Sequence, residues 1–266
     1  MAQDGGALRR VLAGLILAFL VLPAFVVFPV SLTPNRYLSL PSGGVSWQHW
    51  QTLFTDPVWL SGIRESVLIA SLSTALALAA GTACAIGCWR LGSRLTDMVR
   101  SAMILPLMIP TIVYALGIYR FYVELDLIGT MLGVILAHAV TGLPYVVLTV
   151  TASLANLDPA LERAARSLGA SVPQTLTRVI VPNIIPGILS GGIFAFIHSW
   201  DELIIVIFIG GRELFTLPQL IWDGINENLD PAIAAVASAL ILFTLAVLLV
   251  ELGLRRRRQF RAARDT

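Results

Sequence analysis

Apolar stretches of about 20 residues, the length an α-helix needs to cross a hydrocarbon core, recur along the whole chain. Six are visible, at 11–31, 66–89, 101–119, 130–152, 184–209 and 232–253. Lipid offers no water to backbone N–H and C=O groups, so such segments satisfy themselves as helices. The expected fold is an all-α membrane protein of six transmembrane helices, one transmembrane domain over 1–266. Charged residues make up 13% of the chain, against about a quarter in a soluble domain. The first stretch follows Arg9 and Arg10 as a leader would. It is too long for a leader's apolar core and holds Pro23 and Pro29, so it is read as a retained span.

Arginine-rich loops stay in the cytoplasm, which sets the orientation. With both termini inside, the inner side carries Arg9, Arg10, Arg90, Arg94, Arg100, Arg163, Arg166, Arg178, Arg255 to Arg258, Arg261 and Arg264. The outer side carries Arg36, Arg64, Arg120 and Arg212. The Arg255 to Arg258 run is read as an anchor on anionic lipid headgroups, not as a nucleic-acid patch. Acids dominate outside, at Asp56, Glu65, Glu124, Asp126, Glu213, Asp223, Glu227 and Asp230, a field that concentrates cations. Of the outer loops, 32–63 is rich in tryptophan and is expected to fold at headgroup depth. The segment 214–225, interrupted by Pro218, is expected to lie at or dip into the interface.

All 18 basic residues are arginine. Without lysine the chain has neither a Walker A loop nor a Schiff-base amine, so it does not power a process by itself. Cys84 and Cys88 share a helix face and are read as small packing residues. His49, His138 and His198 have no metal-ligand spacing, and no nucleophile–base pair stands out. No catalytic residue, metal site or cofactor is expected.

The inner loop 153–182 is the most informative segment. Asp158-Pro159 starts a helix, the acid capping free N–H groups and the proline fitting the first turn. Gly169 suits a left-handed end, and Ser171-Val172-Pro173 restarts a second short helix reaching Val181-Pro182. Two short helices joined at a glycine would make a protruding foot, with Ala164 and Ala165 permitting close approach by another protein.

Glu162-Arg163-Ala164-Ala165, then Leu168-Gly169, then Val179-Ile180-Val181-Pro182 resembles the EAA loop of permease subunits in bacterial ABC importers. Arg163 stands where that pattern has its glutamate, with Glu162 one place earlier, and valines replace its Ile and Leu. Leu105 to Pro110, His138 with Leu143-Pro144-Tyr145, Phe196 to Glu202, Thr216-Leu217-Pro218 and Asp230-Pro231 resemble the polyamine-type branch of these permeases. The resemblance implies a multi-pass permease of a bacterial inner membrane. Its partners would be two ATPase subunits that bind ATP and Mg, a second and different permease, and an external solute-binding protein. The loop's first helix would seat on the ATPase.

Inside the spans, His198, Asp201 and Glu202 fall on one face of an unbroken helix. They form either an anionic wall for a cationic amine or an interfacial pair meeting Arg64 or Arg120. Tyr114, Tyr145 and Trp200 are candidate cation–π partners. Pro106 and Pro110, Pro144 with Gly142, and Pro186 with Gly187 are expected to bend their helices. The rival function is a secondary transporter or channel independent of ATP, which would show inverted repeats and a midplane ion site.

Overall fold

The computed structural model describes residues 4–212, 214–228 and 230–262, without the side chains of 4–8, 227, 228, 247, 248, 250 and 251–262. Glu213 and Arg264 of the charge pattern lie outside the described residues, as do the side chains of Glu227, Arg255 to Arg258 and Arg261. All regular structure described is helical. The chain divides into two compact units, residues 1–60 with 221–266, and residues 61–220.

In the first unit, α1 (Asp4–Ser31) and α2 (Gln48–Thr55) both pack on α12 (Ala232–Ala262). The loop between α1 and α2 is folded by its own polar groups. Asn35 Nδ2 donates to Ser39 Oγ at 2.9 Å, Gln48 Nε2 donates to the Pro34 carbonyl at 2.9 Å, and Trp50 Nε1 donates to Ser31 Oγ at 3.1 Å.

The second unit begins within α3 (Pro57–Leu91) and continues through α4 (Arg94–Ile104), a 3-10 turn (Leu105–Met108), α5 (Thr111–Glu124) and α6 (Met131–Ala155). The loop helix α7 (Pro159–Ser167) follows, then α8 (Val172–Thr175), a π turn (Leu176–Ile180) and α9 (Val181–Asp201). Short α10 (Ile204–Ile209) and α11 (Leu217–Asp223) come next, and α11 leads into a second π turn (Gly224–Asn228) in the first unit.

Four helical runs are long and apolar enough to cross a membrane: Arg9–Ser31, Pro57–Leu91, Met131–Ala155 and Val172–Asp201. The pair Arg94–Met108 and Thr111–Glu124 qualifies jointly as a fifth, and α12 is apolar over Ala232–Ala246. The boundaries differ from expectation where prolines and acids intervene. The stretch 101–119 is not one rod: its two halves bend by 108° at the break that Pro106 and Pro110 bracket. Proline there removes N–H donors and its ring collides with the preceding turn. The stretch 184–209 stops at Asp201 and resumes at Ile204. Pro144 and Pro186, by contrast, lie inside uninterrupted helices.

The second unit is held by the pairing of α6 with α9, where small residues let backbones approach. A Cβ on Gly191 would lie 2.9 Å from Val146 Cα, and one on Gly187 would lie 2.7 Å from the Thr149 carbonyl oxygen. Gly142 faces Ala195 and Ala77. Between helices in lipid, where no hydrophobic force draws them together, this close packing supplies the association energy. Gly191→Val is expected to destabilise the solubilised protein by about 2 kcal/mol through overpacking. Gly87→Ala, with open space around the site, is expected to raise stability by up to about 1 kcal/mol. Thermal unfolding in detergent checks both.

Candidate functional site

The loop 153–182 folds from its caps outward. Asp158 Oδ1 accepts from the Ala160 N–H at 2.8 Å, and Pro159 occupies the first helical position of α7. The helix ends through Gly169 at φ +84°, and the Ala170 N–H donates to the Ala165 carbonyl at 3.1 Å. Chain reversal at this point needs the left-handed conformation, which only glycine takes without strain.

The second arm differs from the expected short helix. A capping box starts it, with Gln174 Oε1 accepting from the Ser171 N–H at 2.8 Å. It then runs without interruption from Val172 to Asp201. Pro182 does not stop it. A proline lacks the N–H for the usual helical bond and crowds the carbonyl four residues back. The preceding turn widens instead, and the Val181 N–H donates to the Leu176 carbonyl. The foot is therefore one free-standing helix, α7, set beside an extension of α9.

At the ends of α6 and α9 nearest the loop 153–182, Leu154, Leu157, Ile180 and Ile184 are buried in one cluster against Trp89 and Ile86. Arg90, in the last turn of α3, donates to Glu162 Oε1 at 3.1 Å, both side chains 22% exposed. Arg163, Ala164, Gly169 and Pro182 are exposed, Ala165 is half-buried, and Leu168 is 89% exposed.

The second group of candidates gathers where the helices break. A cavity of about 120 Å³ is lined by Pro106, Leu107, Ile109, Thr111, Tyr114, Thr141, Tyr145 and His198. A second, about 250 Å³, is lined by Tyr145, Phe194, Ile197, His198, Asp201 and Glu202. Tyr145 and His198 line both, their rings 5.1 Å apart. The hydroxyl of Tyr114 donates to the Ala137 carbonyl at 3.2 Å. Irregular backbone at membrane depth is tolerated where it lines a cavity, which is where Pro106 and Ile109 sit.

One expectation is corrected. Glu202 does not share a helix face with His198. The helix ends at Asp201, Glu202 is extended, and its Oε1 accepts from the N–H groups of Ile204 and Ile205 at 2.8 and 3.2 Å. The orphan donors of α10 take the carboxylate that an unbroken helix would have left facing outward. Asp201 remains exposed. Arg120 pairs with Glu124 at 3.5 Å, not with the Asp201-Glu202 pair. Trp200 stacks on Phe196, ring centroids 6.1 Å apart, and lines neither cavity.

One polar constellation had no clear sequence signal. Ser199 Oγ accepts from Ser73 Oγ at 3.0 Å and lies 2.7 Å from His138 Nδ1, joining α3, α6 and α9 in the buried interior. His138 is 1% exposed. No hydrogen-bond partner among the described residues meets Nε2 of either His138 or His198.

These assignments separate the two acids. Glu202→Ala is expected to cost about 1–2 kcal/mol by uncapping α10, while Glu202→Gln, which keeps an acceptor oxygen, costs less. Asp201→Asn is expected to change stability by no more than about 0.5 kcal/mol. Thermal unfolding of the three variants tests the division.

Residues 75–259 match the family described as binding-protein-dependent transport system inner membrane component. The chain is 28% identical over 244 residues to the spermidine/putrescine transport system permease protein PotC of Haemophilus influenzae, covering 92% of this chain and 95% of that one. It is 28% identical over 235 residues to the putrescine transport system permease protein PotI of Escherichia coli strain K12, covering 84% and 82%. In fold it is similar to a chain of a bacterial ABC transporter involved in the import of the acidic polysaccharide alginate, with TM-score 0.69 at 15% identity and 96% of each chain covered. The chain belongs to the binding-protein-dependent transport system inner membrane components, a transport subunit built of membrane-type helices.

Proposed function

We propose that this chain is one permease half of an ATP-driven importer for a polyamine or a related cationic amine. On this reading it crosses a bacterial inner membrane six times as a single transmembrane domain, with both termini cytoplasmic. It hydrolyses no ATP, and two separate ATPase subunits supply that step with ATP and Mg. A second, different permease completes the pathway, and an extracytoplasmic binding protein delivers the solute.

The carrying observation is the capped, exposed helix α7 at the EAA-like residues Glu162 to Gly169, tied to α3 through Arg90 and Glu162. A carrier independent of ATP has no use for such a foot. Leu168, Ala164 and Gly169 offer the ATPase its seat, and Pro182 follows the widened turn within the long arm. For the substrate, the support is the named solutes of PotC and PotI together with the site chemistry. Exposed Asp201 beside the Tyr145 and His198 rings is a suitable lining for a protonated amine. Tyr114 borders the adjoining cavity. Glu202 acts there through backbone geometry, and Trp200 through its packing on Phe196.

Purification from the native membrane with mass spectrometry of what accompanies the chain tests the assembly. A stoichiometric ATPase and a second permease are expected. A chain that purifies alone and transports in ATP-free vesicles would make it a secondary carrier or channel. In the assembled importer, Asp201→Asn is expected to reduce uptake of radiolabelled putrescine or spermidine by up to about fivefold, the scale of one exposed ion pair. Unchanged uptake would remove Asp201 from the pathway.

A further inference from the structure

The face that α7 offers a partner is cationic, and the reason lies in how its acids are used. The helix and its cap contain two carboxylates, Asp158 and Glu162. Asp158 is the N-cap, its Oδ1 held by the Ala160 N–H. Glu162 is turned inward onto Arg90 at 3.1 Å and is mostly covered. Arg163 and Arg166, one helical turn apart, are both exposed, and no salt bridge among the described residues engages either. Ala164, Leu161 and Leu168 are exposed as well. At about 100° per residue, Arg163 and Arg166 share one side of the helix and Leu161 and Leu168 the other, with Ala164 between Arg163 and Leu168.

From this we infer that the ATPase surface receiving α7 is an apolar groove with carboxylates placed to meet Arg163 and Arg166. The inference rests on the docking role proposed above and adds the chemistry of the partner. A neutral or basic groove would bury two guanidinium groups without partners, a cost that apolar contact at Leu161 and Leu168 does not offset. Guanidinium is suited to the task, since its planar fork meets a carboxylate through two parallel hydrogen bonds. Glu162 contributes indirectly. By holding Arg90 it fixes α7 to the end of α3 and keeps its own negative charge off the docking face.

The test uses the intact complex, purified through a tag on the permease, with the retained ATPase quantified at low and high salt. Arg163→Glu with Arg166→Glu is expected to reduce retention by about tenfold to a hundredfold, and Arg163→Gln with Arg166→Gln by a smaller factor in the same direction. Co-purification of the second permease at wild-type level shows that both variants still fold. Carboxylate-to-arginine changes in the ATPase groove are expected to restore binding of the Glu variant. Wild-type retention in the Glu variant overturns the acidic groove. Leu168→Asp tells the two readings apart. If it releases the ATPase while the Glu variant does not, α7 docks but its groove is not acidic. If neither releases it, the docking role itself fails.

Discussion

The close approach of α6 and α9 is the contact on which the rest of the second unit depends. Gly187 and Gly191 bring the two backbones together at Thr149, Ser153 and Val146. One end of that seam carries Tyr145 from α6 and His198 from α9, whose rings line both cavities. The other end opens into the loop, where Leu154 and Ile184 are buried in one cluster with Leu157, two residues before α7. In a medium that gives apolar side chains no reason to leave it, glycine and serine do the joining. The Ser73–Ser199–His138 chain adds a polar tie across three helices where lipid provides no alternative partner.

Helix breaks supply the polarity that the seam alone lacks. At Pro106 to Pro110 the backbone turns through 108° and its freed groups border a cavity. At Glu202 the break is made by a side chain, which satisfies the first donors of α10 from within. The two breaks meet at Tyr145 and His198, so segments distant in sequence converge on one lining. Proline sets the first break because it cannot donate. The second needs an acceptor at the right place.

Much of this was legible in the sequence, and the reasons are local. Asp158-Pro159 and Gly169 announce the start and end of α7 because capping chemistry is decided within four residues. The apolar runs announce their helices because lipid leaves the backbone no other choice. The break at Pro106 to Pro110 was expected as a bend. Other features were not legible. Pro144 and Pro186 look like Pro106 on paper, yet each lies inside one continuous helix. Pro182 reads as an end, yet the turn ahead of it simply widens. Glu202 looks like part of a charged face because its carboxylate meets the first donors of α10 from one place before the cap, Leu203, and that role depends on where α9 stops. Arg90 and Glu162 are far apart in the chain, and nothing local announces their pairing.

The unbroken run from Val172 to Asp201 has a mechanical meaning. Thirty residues of helix make a rod about 45 Å long. Its near end is joined to α7 through Gly169 and Ala170, and its far end carries Ser199 and Asp201. A tilt of about 5° about one end of such a rod displaces the other by roughly 4 Å, more than the length of a hydrogen bond. The arm beside the foot and the wall of the cavity are therefore two ends of one continuous helix, with the widened turn at Leu176 to Ile180 near its first end.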